Sequence, residues 1–532
     1  MKNDFVWWRD GVIYQIYPRS FKDSTGSGIG DLKGITEKLD YLSDLGIDAI
    51  WLSPINPSPD VDFGYDVSDY CAIDPKFGTM QDFEHLIAEA DKLGIRIVMD
   101  LVLNHTSDQH PWFKSARRSR DDSCRDWYIW QDADPSGKPP NNWHAVFGGS
   151  GWEWDSETEQ YYYHMFYKQQ PDLNWRNPQV RNALLEVFRF WLDKGVKGFR
   201  LDVFNMYIKD DLFRNNPTKL IGRRPFERQI HLYDFDRPEL MGVLSDIRQV
   251  VDAYADTYVV GETFLGTPEK AAGYCGEEYL HACFDFNFLE SKYKPQPLLK
   301  AITEWENALG GSIWPNYVCN NHDNPRTATR FGVGEDDERL KVAAALILTL
   351  RGTPFLYYGE EIGMRDIRLK RSDILDPIGK RYWPIYKGRD GCRAPMQWNA
   401  EKNAGFSSAT PWLPVHPDYL KRNAENQTEE RYSLLNFYKQ LLVFRKTHSA
   451  LIYGDFQVVS GNSPHVLAFK RSYAGSTIMV ILNFSDKPHE IILPEQIADY
   501  SIAFSSIERT PKLLKENSIG LSGSEVLVLV KH

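Results

Sequence analysis

Residues 81–105, QDFEHLIAEADKLGIRIVMDLVLNH, contain the repeating unit on which the fold is built. Gln81–Leu93 has the amphipathic spacing of a helix, Gly94 follows it, and Arg96–Leu103 is almost continuously apolar. A glycine often ends a helix, and an apolar run of this length is typical of a parallel strand covered on both faces. The stretch therefore predicts one helix–strand unit of an α/β fold.

The same alternation continues on both sides of this unit. It predicts helices over Leu32–Leu45 and Pro178–Lys194. It predicts further strands at Val12–Tyr17, Ala49–Leu52, Gly198–Asp202, Tyr258–Glu262, Tyr317–Asn320 and Pro354–Gly359. Repeated strand–helix units over this length indicate a (β/α)8 TIM barrel, formed by residues 1–104 and 176–450.

Two regions depart from the alternation. Residues 105–175 are rich in Trp, Tyr, Asp, Gly and Pro and have no helical period. Since a structureless loop of this length is uncommon in a compact domain, an inserted small domain after strand 3 is predicted.

Residues 451–532 contain only short strand-like runs, such as His465–Arg471, Thr477–Phe484 and Val526–Val530. They predict a C-terminal antiparallel β-sandwich.

The composition limits the classes of partner and the cellular compartments that suit the chain. The 532 residues carry a formal net charge of −11, which argues against a nucleic-acid partner. Six cysteines are scattered without a C-x-x-C pair, as expected of free thiols in a reducing compartment. No apolar run approaches the ~20 residues of a membrane helix, and the N-terminus lacks a secretory apolar segment. We expect a cytoplasmic protein without a membrane partner, and the oligomeric state is left open.

Charged and histidine side chains follow the predicted strands. In a TIM barrel, residues at the carboxyl ends of the strands face the site. Taken singly, each has a plain interpretation as a helix cap or a core imidazole, but as a set they converge on one point. Arg200 and Asp202 also share a strand face, because side chains alternate with a period of two. The set comprises Asp100, His105, Arg200, Asp202, Glu262, His322 and Asp323.

This set suits the cleavage of a glycosidic bond. A retaining reaction needs a carboxylate nucleophile and a carboxylic acid ~5–5.5 Å apart. Arg200 is expected to keep Asp202 ionised, and Glu262 needs a raised pKa to remain a proton donor. Asp323 is expected to bind ring hydroxyls and help distort the sugar. The chemistry requires no cofactor.

Four segments resemble the signature regions of the α-amylase family, glycoside hydrolase family 13. They are Asp100-Leu-Val-Leu-Asn-His105, Gly198-Phe-Arg-Leu-Asp202, Gly261-Glu262-Thr263 and Asn321-His-Asp-Asn324. Their order and strand context match the family, and the resemblance covers essentially the whole chain. It implies that Asp202 is the nucleophile, Glu262 the acid/base and Asp323 the transition-state stabiliser. It also implies that His105 and His322 bind hydroxyls and that Tyr65 stacks under the glucose.

Further segments resemble the α-glucosidase and oligo-1,6-glucosidase branch of that family. They are residues 74–79, 170–175 and 391–398. The branch implies an Asp66–Arg393 pair that closes the site beyond one sugar, so that single glucose units are removed from small α-glucosides. Val203 after the nucleophile implies a preference for α-1,6 bonds, although a difference of one methyl group decides only ~1–3 kcal/mol. Phe147 and Phe166 are expected to contact the leaving group.

Other activities on the same scaffold remain open from the sequence. They are an α-1,4-preferring or transglycosylating α-glucosidase, and a sucrose isomerase or hydrolase. A non-catalytic relative is disfavoured because Asp202, Glu262 and Asp323 are all present.

A Gly-rich loop raises the question of a metal. Its residues Asp23, Thr25, Ser27, Ile29 and Asp31 lie where relatives bind a structural Ca²⁺ or Mg²⁺ ion. Hard cations prefer several carboxylate oxygens. Because Thr25 and Ser27 stand where Asn and Asp are usual, we expect reduced affinity and a structural rather than catalytic role.

Overall fold

Eight parallel strands form the central sheet of the computed structural model, which describes residues 5–332, 334, 336–459, 463–509 and 517–531. The strands are β1 (Ile13–Ile16), β2 (Ala49–Leu52), β3 (Arg96–Leu101), β4 (Gly198–Leu201), β5 (Tyr258–Glu262), β6 (Ala282–Phe284), β7 (Asn316–Val318) and β8 (Thr353–Tyr357). They are hydrogen-bonded in the order β7-β8-β1-β2-β3-β4-β5-β6. Because β6 and β7 also contact each other, the sheet curls into a barrel, and the predicted (β/α)8 fold is confirmed.

The register of the central strands places the charged residues side by side. Asp100 of β3 pairs with Arg200 of β4, and Arg200 pairs with Val260 of β5. Asp202 and Glu262 therefore lie at the carboxyl ends of adjacent strands.

Helices surround the barrel and begin with recognisable caps. Thr79 and Asp82 form a capping box at the start of Met80–Lys92. The expected helix over residues 32–45 is divided, since Lys38 has a non-helical backbone (φ −110°, ψ 8°). The helices of the barrel region are Trp7–Asp10, Pro18–Phe21, Leu32–Thr36, Leu39–Leu45, Met80–Lys92, Pro178–Asp193, Leu240–Asp252, Pro268–Gly273, Phe286–Glu290, Pro295–Leu309, Thr327–Phe331, Glu338–Thr349, Pro377–Tyr382, Ala424–Glu429, Leu434–Thr447 and Ser449–Tyr453.

A small three-stranded antiparallel sheet follows β3. Its strands, in spatial order, are Trp130–Gln131, Gln160–Tyr163 and Trp152–Asp155, and the helix Pro111–Ala116 precedes it. An apolar cluster from this region includes Phe147 and Phe166 and continues to Val203 after β4. The inserted unit therefore covers one side of the barrel mouth. It lies within the predicted range 105–175, whose limits remain a prediction.

The C-terminal region consists of two antiparallel sheets. One contains Gln457–Val459, Val466–Tyr473, Ser476–Asn483, Val526–Lys531 and Tyr500–Ser505 in that order, and the other pairs His489–Ile492 with Ser518–Leu521. Buried Arg471 joins the larger sheet to the barrel by donating from Nη1 to the carbonyl of Thr349 (2.8 Å). The predicted C-terminal β domain is confirmed. Among the described helices, none is long and apolar enough to cross a membrane.

Candidate active site

A cavity of about 710 Å³ opens at the carboxyl ends of the barrel strands. Its wall combines carboxylates from the strand ends with aromatic side chains from the inserted domain. The residues predicted from the sequence that line it are Tyr65, His105, Phe147, Phe166, Asp202, Val203, Glu262 and Asp323. The predicted residues Asp66, Arg200, His322 and Arg393 are buried behind this wall.

Arg200 connects the carboxylates at the floor of the cavity. Its Nη1 donates to Asp100 Oδ1 (2.6 Å) and to Asp202 Oδ1 (2.8 Å), and its Nη2 donates to Glu262 Oε2. Only 1% of the Arg200 surface is exposed, so these contacts are shielded from water. One guanidinium therefore contacts three neighbouring carboxylates, and it orients Asp202 and Glu262 towards the same cavity.

Asp202 and Glu262, two of the carboxyl groups that face the cavity, have raised pKa values. Burial raises the pKa of Asp202 well above its usual range, and the nearby charge of Glu262 raises it further against the opposing effect of Arg200. Burial also raises the pKa of Glu262, again opposed by Arg200. Like-charged groups that contact the same guanidinium do not ionise independently. The pair is therefore suited to keep one proton near neutral pH, which gives one acid and one base.

Asp323 has the opposite electrostatic environment. It accepts from Arg393 Nη2 (2.8 Å) and lies 3.5 Å from Arg389 Nη1. Burial alone would raise its pKa, but the neighbouring positive charges outweigh burial and lower the pKa of Asp323. Asp323 is therefore ionised at neutral pH and differs from the two protonatable groups opposite.

His322 and Tyr65 form a directed chain of hydrogen bonds. Burial lowers the pKa of His322 to about 3, so the ring is neutral near pH 7. Gln15 Nε2 lies 2.7 Å from His322 Nδ1, and an amide NH₂ can only donate. Nε2 of His322 therefore carries the proton and faces the Tyr65 hydroxyl (2.5 Å), which in turn donates to Asp100 (3.0 Å). This chain fixes the Tyr65 ring beside the carboxylates.

His105 supports the same tyrosine from the other side. Its Nε2 lies 2.9 Å from the carbonyl oxygen of Tyr65 and 3.1 Å from Gln170 Nε2. Burial lowers the pKa of His105, so it is a neutral, polar part of the cavity wall. Gln170 also donates to Asp62 (3.3 Å).

The expected pair of Asp66 and Arg393 is wrong. Asp66 accepts from its own turn, namely from the main-chain N–H groups of Val61 (2.9 Å) and Asp62 (3.0 Å), and Arg393 binds Asp323. The ion pair that reaches the cavity is formed by Asp62 and Arg389, each four residues before the predicted residue. Arg389 Nη2 donates to Asp62 Oδ1 at 2.6 Å. Asp60, Asp62 and Asp66 lie close together on either side of Gly64, and their spacing alone does not show which one faces inward.

Val203 has an unusual backbone for its residue type. Its φ of 34° and ψ of 42° lie in the left-handed region, where a β-branched residue is strained. The turn presents the Val203 side chain to the cavity next to Asp202. Phe147 and Phe166, whose ring centroids are 5.5 Å apart, form the adjoining apolar wall.

Two further polar atoms on this wall have unmet hydrogen-bonding capacity. Thr263 Oγ1 and Asp285 Oδ2 are buried and have no hydrogen-bond partner among the described residues. Both residues line the cavity. Thr263 ends the signature segment Gly261-Glu262-Thr263 but received no role from the sequence. Asp285 does not stand out there, since an aspartate after a short strand is a common helix cap.

The Gly-rich loop does not fit the expected metal ion. Asp23 accepts from the main-chain N–H groups of Thr25 (2.9 Å), Gly26 (2.8 Å) and Gly28 (2.7 Å). Asp31 accepts from Ser24 N (2.8 Å) and caps the next helix through Gly34 N (2.7 Å). The oxygens that would bind a cation thus already satisfy the loop, and within the described residues no group of three or more His, Cys, Asp or Glu is arranged for a metal.

Comparison with known proteins gives matches over nearly the whole chain. Residues 15–454 match the model of the alpha amylase catalytic domain. A Rhizobium meliloti protein named "Probable alpha-glucosidase" is 44% identical, covering 93% of this chain and 92% of its own length. The oligo-1,6-glucosidase of Parageobacillus thermoglucosidasius is 40% identical, covering 92% and 93%. The crystal structure of the alpha-glucosyl transfer enzyme XgtA is 38% identical and superposes with a TM-score of 0.94, covering 99% of this chain and 100% of that chain.

The match over the barrel and the identity to these relatives agree with the cavity described above. Carboxylates meet on the strand ends of an eight-stranded barrel that carries an inserted unit and a C-terminal β domain. The chain therefore belongs to the α-amylase family, family 13 of the glycoside hydrolases.

Proposed function

We propose that this enzyme is an exo-acting, retaining α-glucosidase that releases glucose from the non-reducing end of small α-glucosides. The observation that carries the proposal is the contact of one buried guanidinium, that of Arg200, with both Asp202 and Glu262. It supports a pair of carboxyl groups that hold one proton between them on the same cavity, as a nucleophile and an acid require. Relatives named as α-glucosidase and oligo-1,6-glucosidase support the same substrate class.

The reaction proceeds in two displacements. Asp202 attacks the anomeric carbon while Glu262 protonates the glycosidic oxygen, so the leaving group departs with its proton. Glu262, now ionised, then removes a proton from water, which attacks the glycosyl–Asp202 ester and restores both groups. Asp323 remains ionised and binds ring hydroxyls. Proton transfer and displacement by these residues need no cofactor.

Recognition of a single glucose follows from the closed end of the cavity. Arg389 and Asp62 fill that end with an ion pair (2.6 Å), which supplies donors and acceptors for the hydroxyls farthest from the leaving group. Tyr65 offers a ring face to the sugar, and His105 offers an imidazole edge. A site closed beyond one sugar favours removal of terminal units.

We further propose a preference for α-1,6 bonds. Val203 presents a branched apolar group beside Asp202, at the position that the leaving sugar must pass. An α-1,6-linked leaving group is attached through a flexible methylene and passes this group more easily than an α-1,4-linked ring.

The free state of all six cysteines supports the prediction of a reducing, cytoplasmic location.

Two carboxylate variants test the proposal. Asp202→Asn removes the nucleophile, and Glu262→Gln removes the proton donor. Each should lower kcat/KM for isomaltose, whose leaving sugar must be protonated, about 10³-fold or more. NMR of 4-nitrophenyl α-glucoside hydrolysis should show that the native enzyme releases α-glucose first. Asp132→Asn, an exposed site outside the cavity, is the matched control. Full turnover by either cavity variant, or first release of β-glucose, would contradict the mechanism.

Glucosyl transfer is the second candidate activity, because the chain superposes on the α-glucosyl transfer enzyme XgtA with a TM-score of 0.94. Both activities share the glycosyl–enzyme intermediate and differ in whether water or a sugar hydroxyl attacks it. Chromatography of products at high isomaltose concentration distinguishes them. Oligosaccharides in place of glucose as the main early products would establish transfer as the main reaction.

A further inference from the structure

The outer rim of the cavity is strongly basic. It is formed by residues 219–228 and 377–387, which we call the basic rim. Together these segments contain seven basic residues and one acidic residue, Glu227, within a chain whose net charge is −11. Arg223 and Arg224 of the first segment line the cavity, as do Tyr382 and Tyr386 of the second.

Arginines from the two segments are anchored to the same stretch of the inserted domain. Arg224 Nη1 donates to the carbonyl of Val146 (3.2 Å), and Arg381 Nη1 donates to the carbonyl of Gly148 (3.1 Å). Between these carbonyls, Phe147 lines the cavity. Although they are distant in sequence, the guanidinium groups of Arg224 and Arg381 therefore converge on one side of the mouth. Arg223, the chain neighbour of Arg224 and itself a lining residue, belongs to the same side.

The positive charge of the rim is only partly neutralised. Arg224 forms an ion pair with Glu227 (2.7 Å). Arg223 and Arg381 are exposed, and within the described residues neither has a carboxylate at ion-pair distance. They can therefore pair with a negative group on a bound molecule.

The floor of the cavity has the opposite sign. Carboxylates line it, among them those of Asp62, Asp202, Glu262, Asp285 and Asp323. A cleft with low-dielectric walls and separated charges orients a molecule of complementary polarity. A neutral sugar ring at the floor, joined to a negative group at the rim, matches this distribution.

We propose that the enzyme prefers α-glucosides whose leaving group carries an anionic substituent, a carboxylate or a phosphate monoester, and that Arg223 and Arg381 bind this substituent. The inference rests on the proposed function, because glucose bound at the floor directs the leaving group to the rim. A planar guanidinium binds either anion through paired N–H groups. Neutral α-glucosides remain substrates without this contribution.

Matched synthetic substrates test the preference. We choose 3-(carboxymethyl)phenyl α-glucoside and its methyl ester, whose leaving groups differ in charge and little in reactivity. The native enzyme should have a higher kcat/KM for the acid, by about fivefold for each engaged arginine. The ratio should fall as salt is added, because exposed charges are screened. The phosphonomethyl analogue shows which anion is preferred. A higher kcat/KM for either anionic compound than for the ester supports the proposal.

Variants assign the preference to the rim. In the double variant Arg223→Gln/Arg381→Gln, the ratio of acid to ester should approach one, whereas Arg223→Lys/Arg381→Lys should keep part of it. Arg118→Gln, at an exposed arginine outside the cavity, should keep the native ratio. Equal kcat/KM for acid and ester in the native enzyme, or an unchanged ratio in the double Gln variant, would overturn the proposal. If the preference for the acid were absent but the ester were still hydrolysed, the proposed α-glucosidase function would be retained. Failure to cleave either compound would refute the proposed function itself.

Discussion

Replacing Arg200 with lysine tests the electrostatic basis of the site most directly. The guanidinium spans Asp100, Asp202 and Glu262 through two nitrogens. A lysine brings the same charge on one nitrogen, so at least one charge-assisted hydrogen bond is lost. Such a bond contributes about 1.5–3 kcal/mol, and a buried carboxylate is left with fewer donors. We expect kcat/KM for 4-nitrophenyl α-glucoside to fall about 10²-fold, equivalent to about 3 kcal/mol.

The pH dependence of Arg200→Lys carries the sharper information. Weaker contact with the cation raises the pKa of Asp202 and of Glu262 further above their ordinary values. Activity needs Asp202 ionised and Glu262 protonated, so both limbs of the kcat/KM profile should move to higher pH. The measurement is a set of initial rates from about pH 4 to about pH 9, which covers the range in which perturbed carboxyl groups titrate.

Arg445→Lys is the matched control for a buried arginine. Arg445 is fully buried and, within the part of the chain that the structure describes, donates only to main-chain carbonyls, among them those of Leu348 and Gly352 (both 2.8 Å). Its replacement should lower stability and leave the pH profile unchanged. If Arg200→Lys kept kcat/KM within about threefold, a loss below that of one hydrogen bond to a charged group, with both limbs in place, the assigned role of Arg200 would be wrong.

Three further outcomes follow from the cavity and its surroundings. Val203→Ala should lower the ratio of kcat/KM for isomaltose to that for maltose by about tenfold, and an unchanged ratio would dismiss Val203 as the determinant of linkage. Asp62→Asn weakens the pair with Arg389, so KM for isomaltose and the inhibition constant for glucose should both rise about tenfold; a rise in KM alone would place Asp62 outside the glucose site. Since Asp23 and Asp31 accept hydrogen bonds from their own loop, EDTA should shift Tm by less than about 1 °C, whereas loss of a metal held at 100 times its Kd would cost about 2.7 kcal/mol.

The barrel is largely predictable because its strands are long apolar runs that alternate with amphipathic helices. Seven of the eight strands follow from this pattern. The exception is β6, Ala282–Phe284. It is as short as β7, but no signature segment follows it in the sequence. The break in the helix at Lys38 is also invisible, because a lysine is a good helix former and nothing local predicts the interruption.

The site is predictable where a side chain follows a strand and less so where it lies on a loop. Asp202 and Glu262 follow β4 and β5, so the topology of the sheet alone brings them together. Asp62 and Arg389 lie on long connections, and their contact depends on tertiary packing that spacing does not encode. The same limit applies to the basic rim, whose two segments, ending at residue 228 and beginning at residue 377, are 149 positions apart in the chain.

The left-handed turn at Val203 has a consequence for engineering. A valine held at a φ of 34° raises the free energy of the folded state by about 1–3 kcal/mol, and glycine would adopt the same turn freely. The same change removes a buried side chain from the apolar cluster beside the cavity, which costs about 1.5–3 kcal/mol and offsets the relief. A library screened only for heat resistance should therefore recover Val203→Gly at near-native stability, without the branched group beside the reacting bond and with a broader range of accepted linkages.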